Sequence, residues 1–355
     1  MKCKILVFIV LSFQIACSPT KQKNNIVSKS DYFKLVTVDT LLKEKINSRA
    51  ILALRDKVYY AGDKGRVGFI NYLDKKRTEF SIKNVEHPLE FRSIAQTSDA
   101  IFVLNVGSPA QLYRLSKDLS QNKLVYEEKH PKVFYDSMQF WNDTDGIAMG
   151  DPTADCLSII RTHDGGSSWQ KIPCGKLPKV DEGEAAFAAS NSNIILKGKH
   201  VWIVSGGKKA RVYHSSDQGK NWEVAETPII QGSEMTGIFT ADFYDIQNGF
   251  IAGGNYEKQN QNFSNKAISS DKGNHWSLVG EHQGFGYASC IQYVPESKAS
   301  ALVCIAGDGL YYSHDFGETW KMLLETKTLY TIRFVNKFTA VAAGRDGIYK
   351  IDFQY

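Results

Sequence analysis

Thr162-His163-Asp164-Gly165-Gly166-Ser167-Ser168-Trp169 decides the reading of this chain, because its pattern, S/T-x-D-x-G-x-x-W, returns three times. The copies run from Ser215 to Trp222 around Asp217, from Ser269 to Trp276 around Asp271, and from Ser313 to Trp320 around Asp315. Successive Asp residues are 53, 54 and 44 positions apart, the spacing of repeated units of about four short strands. A shortened fifth copy, Ser116 to Ser120 around Asp118, lacks the Gly and the Trp. The residue types suit a hairpin turn. The Asp carboxylate accepts backbone N–H bonds within its own turn, and Gly two residues later takes φ > 0. The Trp ring is then buried between neighbouring sheets as the next strand begins. Four copies argue for structure rather than catalysis.

Outward from each box, an apolar strand, a short turn and a strand ending in Gly recur. The units are Ile51–Gly62, Phe91–Gly107, Phe134–Gly150, Ala186–Gly207, Gly237–Gly254, Gly286–Gly307 and Leu329–Gly344. After Gly344 only eleven residues remain, too few to finish a four-stranded unit. Tyr32 to Val38 alternates as a strand and belongs to no unit, so pairing it with the C-terminal strands would remove an exposed edge. The expected fold is all-β: a seven-bladed β-propeller of four-stranded antiparallel blades, closed by an N-terminal strand. Six blades is the alternative, because the first unit is weakly patterned. Aromatic content of 12% and 28 Gly agree with many short strands and tight turns.

The N-terminus has a basic start, Met1-Lys2-Cys3-Lys4, and an apolar stretch from Ile5 to Phe13, too short to span a bilayer. Gln14-Ile15-Ala16-Cys17 then has the form of a bacterial lipobox with Gln in place of the usual Leu, which makes Cys17 the expected lipidation site. An ordinary signal peptide is the alternative. The expected organisation is a leader over 1–17, a tether over 18–30 and the propeller over 31–355, held by its lipid in a bacterial cell envelope. The formal charge of +5 falls to +3 without Lys2 and Lys4, which gives no reason to expect nucleic acid as a partner. A monomer is expected.

Cys156 and Cys174 are placed symmetrically about the turn near Gly165, and Cys290 and Cys304 about the turn Pro295–Ala299. Directly opposed residues of an antiparallel pair lie within disulfide range, and export permits oxidation. Disulfides Cys156–Cys174 and Cys290–Cys304 are therefore expected, with two facing pairs of buried thiols as the alternative. No paired His or Cys-x-x-Cys suggests a metal, and no phosphate-cradling loop suggests a nucleotide cofactor.

The Asp boxes, Gly150-Asp151-Pro152 before the first of them and Gly286-Tyr287 opening the sixth unit together resemble the photosystem II stability/assembly factor-like propellers, which share Asp boxes with bacterial neuraminidases. The resemblance runs from about Phe91 to the end. It implies a seven-bladed, non-catalytic assembly factor that binds another macromolecule.

Sialidase-like glycoside hydrolysis is the enzymatic alternative. It needs three Arg clamping a carboxylate, with a Tyr–Glu pair and an Asp. Arg92 and Arg333 are two candidates on inner strands. A third is not evident, because Arg161 and Arg211 lie on strands leading into the boxes. In a propeller the segments entering the innermost strands line one mouth of the central channel. Here they supply Arg92, Tyr135, Asp136, Glu184, Phe239, Tyr287, Tyr330 and Arg333, a convergence suited to a protein or glycan ligand.

Overall fold

Seven antiparallel sheets succeed one another along the chain, as the repeat predicts. The computed structural model describes residues 32–83 and 87–355, so the leader, Cys17 and the tether lie outside the described residues. Phe33–Tyr355 forms one compact unit. The innermost strands are Ala50–Ala53, Phe91–Gln96, Tyr135–Phe140, Ile194–Lys197, Thr236–Phe243, Ala288–Tyr293 and Leu329–Asn336. From each of the first six, three further strands step outward; in the fourth, Gly206–Gly207 leaves this order and, with Glu184–Ala185, adds to the inner side of Thr236–Phe243. In the seventh blade the chain supplies only three strands. Leu35–Leu42 pairs antiparallel with Ile348–Gln354 as the outermost strand and closes the ring. Faces between blades are filled by apolar side chains, such as Phe102, Met138, Ala148, Ile160 and Trp169 between the second and third.

The Asp boxes form the hairpins between the third and outer strands. In the first, Asp164 Oδ1 accepts from Thr162 Oγ1 at 2.8 Å and from Ser168 N at 3.0 Å. Gly166 takes φ +76°, and an added Cβ there would meet the Phe102 ring at 2.2 Å. The shortened copy keeps its carboxylate bonds, Ser116 Oγ and Ser120 N both reaching Asp118 Oδ1; Leu119 takes φ +61°, a positive φ that Gln218, Lys272 and Phe316 share at the same position, and Ser120 stands in place of the Gly.

Five innermost strands carry a bulge at the same place. Arg92, Asp136, Phe239, Ser289 and Tyr330 are each left out of the ladder to the second strand. The extra residue bends the strand at its entry and re-aims one side chain.

That bulge corrects one expectation. Cys156 and Cys174 are bonded, with Cα atoms 5.4 Å apart, but Cys290 and Cys304 are free and buried. Because Ser289 bulges out, Cys290 pairs with Ile305 and Cys304 with Ile291. A slip of one residue puts the two side chains on opposite faces of the blade. Cys290 turns toward Ile332 of the seventh blade and Cys304 joins Phe250 and Ala252 of the fifth.

Candidate functional site at the channel mouth

The fourth unit differs from expectation at its start. Residues 186–193 are not strand; they enter the central channel as a plug before Ile194–Lys197 begins. Ala189 O accepts from Arg49 Nη1, directly before the first blade. Asn191 Nδ2 donates to Ile94 O in the second blade at 2.8 Å, and its Oδ1 accepts from Met138 N in the third at 3.0 Å. Ser192 O accepts from Ala241 N in the fifth, and Ser190 Oγ donates to Ser289 O in the sixth at 2.6 Å. Arg333 Nη2 of the seventh donates to Ser190 O and Asn191 O. Four consecutive residues thus reach six other blades. A buried irregular segment must satisfy its polar groups in some such way. Asn191 sits at φ 56°, a conformation Asn tolerates better than most residues.

The plug separates two cavities. All innermost strands run from one mouth to the other, and at their entry end lies a cavity of about 290 Å³. Its walls include Arg49, Arg92, Phe134, Phe187, Phe239, Tyr256 and Tyr287. The plug's Phe187 stacks on Phe239 with ring centroids 3.8 Å apart, and Tyr287 meets Phe239 edge-on at 4.9 Å. Burial pushes the Tyr287 phenol well above its ordinary value, so it is a neutral donor there.

The two arginines differ. Arg92 is paired with Glu90 at 2.7 Å. Arg49 stacks over Tyr330 at 3.8 Å and gives one bond to Ala189 O, while its buried Nε has no partner. No carboxylate pairs with it among the described residues. Burial, and then the like charge of Arg92, hold its guanidinium below the ordinary value. A desolvated cation facing another cation beside an open cavity is disposed to take an anion.

The eight expected mouth residues part company. Arg92, Phe239 and Tyr287 line this cavity, and Tyr330 backs Arg49. Tyr135 is buried with its hydroxyl on Glu128 at 2.8 Å. Glu184 is spent inside the fourth blade, on Arg211, on Ser205 Oγ at 2.5 Å and on Tyr213 at 2.6 Å. Asp136 is wholly buried and neither carboxylate oxygen has a partner. Burial, then the nearby Asp151, raise it well above the carboxylate range, with Arg92 opposing. Asp151 accepts from Ala186 N at 2.7 Å and is raised by burial to about 6. Arg333 lines the cavity at the opposite end. Arg92 and Arg333 therefore cannot share a substrate carboxylate, and the clamp that glycoside hydrolysis of the sialidase kind requires is not formed from them.

The sequence reading missed Arg49, Phe134, Phe187 and Tyr256. Arg49 carried a usable signal, a cation at the entry of an inner strand, directly before Ala50, as Arg92 is the second residue of Phe91–Gln96. Phe187 carried none, because its position depends on the plug.

Residues 311–322 match the BNR/Asp-box repeat model. No curated protein matches the chain in sequence. Among solved structures, YCF48 bound to D1 peptide superposes with a TM-score of 0.63 at 13% identity, over 92% of this chain and 99% of that one. YCF48 from Cyanidioschyzon merolae gives 0.63 at 12% identity, over 89% and 98%. This chain has the fold of the YCF48-like Asp-box propellers. The GH74 xyloglucanase from Xanthomonas campestris gives 0.64 at 11% identity, over 89% of this chain and 53% of the enzyme. At such identities the likeness is one of fold, and the two kinds of neighbour show how differently that fold is used.

Proposed function

We propose that the chain is a non-catalytic, envelope-anchored binding propeller that captures an anionic segment of a partner protein at the Arg49–Arg92 mouth. The observation that carries this reading is Arg49, a buried guanidinium with an unpartnered Nε and no carboxylate in contact. A free peptide carboxylate or an acidic side chain entering the cavity would supply the counter-charge that Arg49 lacks. The aromatic wall of Phe187, Phe239 and Tyr287 would hold an adjoining apolar side chain. That a solved relative of the same fold is bound to a peptide supports the choice of ligand.

The test uses fluorescent peptides ending either in a free carboxylate or in an amide, read by anisotropy. The reading expects tight binding only with an anionic group present, and loss of that binding in Arg49→Met and Arg92→Ala. Equal binding of amidated neutral peptides would refute it. Anchoring through Cys17 is checked separately by metabolic lipid labelling, which Cys17→Ala should abolish.

A further inference from the structure

The Asp-box end of the channel holds a second cavity, about 420 Å³, below the plug. It shares Leu54, Gln96 and Phe140 with a depression of about 440 Å³ that continues outward past Trp141 and Asn142. The two make one elongated cleft from the channel axis toward the rim between the second and third blades.

Three amides on its lining are half-committed. Gln139 Nε2 donates to Ile194 O at 2.6 Å, which fixes the amide and leaves its oxygen without a protein donor. Gln292 Oε1 accepts from Phe334 N at 3.1 Å and leaves its NH2. Gln96 Oε1 accepts from Lys117 Nζ at 2.7 Å and likewise leaves its NH2. The cleft therefore offers pre-oriented donors and an acceptor beside what Phe140 and Trp141 leave open, Phe140 being stacked on Phe102 and Trp141 covered on one face by Arg161.

The geometry points to a neutral oligosaccharide as the ligand of this cleft. Sugar hydroxyls both donate and accept, and a pyranose ring has an apolar C–H face that packs on an aromatic side chain. A peptide adding to a strand edge needs unpaired backbone groups. Here those of Tyr293, Phe334 and Ile194 are already taken by Asp242, Gln292 and Gln139. An anion finds poor terms, since Arg333 is spent on plug carbonyls and the charge of Lys197, the other cation lining the cavity, is offset by the buried Asp242 beside it. The inference does not depend on what occupies the Arg49–Arg92 mouth.

The purified full-length chain is screened against arrayed neutral hexasaccharides with β-1,4 and α-1,4 linkages, and hits are measured by calorimetry. Binding of at least one is expected, weakened about tenfold by Gln96→Leu, as for loss of one hydrogen bond. Gln292→Leu should weaken it similarly; because Gln292 also caps Phe334 N, Gln96→Leu with an unchanged melting temperature is the deciding variant. No binding by any neutral hexasaccharide, or binding untouched by Gln96→Leu, overturns the proposal.

Discussion

Asn191 of the plug donates its side-chain amide to Ile94 O across the channel at 2.8 Å, so a residue entering the fourth blade caps the inner strand of the second. The same side chain accepts from Met138 N of the third. Replacing it with Ala leaves two buried backbone groups unpaired, and Asn191→Ala should cost about 2–4 kcal/mol in urea unfolding. Asn191→Gly loses the same bonds but fits φ 56°, and should recover about 1 kcal/mol of that loss. Equal stability of the two variants would show that the backbone conformation is not under strain.

Arg49 separates binding from stability. Arg49→Met removes a guanidinium that burial and Arg92 both disfavour, while its chain still covers Tyr330. Its denaturation midpoint should match or exceed the parent's, while affinity for a carboxylate-ended peptide falls at least about tenfold, one bidentate charge-assisted contact being lost. A marked loss of stability would mean that Arg49 is a structural tie through Ala189 O.

The buried carboxyls set a pH dependence. Asp136 and Asp151 are both raised in the folded protein, Asp151 to about 6. Between the ordinary carboxyl value of about 4 and those raised values, the folded chain holds protons that the unfolded chain has released, so stability falls as pH rises. Asp136→Asn should flatten this fall and raise stability at pH 8 by roughly 1–3 kcal/mol. Urea midpoints at pH 4, 6 and 8 provide the comparison. The Asp-box carboxylates act in the opposite sense: for Asp164 the bonds from Ser168 outweigh burial and hold it at about 2, so its contribution is lost only on strong acidification.

Alkylation of denatured, unreduced protein, mapped by mass spectrometry, should label Cys290 and Cys304 and spare Cys156 and Cys174. Cys156→Ala with Cys174→Ala should destabilise by about 3 kcal/mol, from the unfolded-chain loop that the bond closes. Protection of Cys290 and Cys304 would contradict the register imposed by the Ser289 bulge.

What the sequence determined by itself is whatever is written within a few residues. An Asp box is complete in eight positions: Asp164 bonds Thr162 and Ser168, and Gly166 supplies the φ > 0 turn. Its recurrence therefore revealed the propeller, the alternating strand before it revealed the ring closure, and Arg92, Phe239 and Tyr287 could be placed at a mouth. Only the tertiary structure decided the rest. A bulge at Ser289 moves Cys290 by one register position, and no local residue pattern announces it. The plug is specified by partners in six other blades, and Arg49 becomes an unpaired buried cation only when those blades close around it. Desolvation and cross-blade hydrogen bonding at the plug depend on residues as distant as Ser190 and Arg333, 143 positions apart, and such distances leave no periodic trace in a sequence.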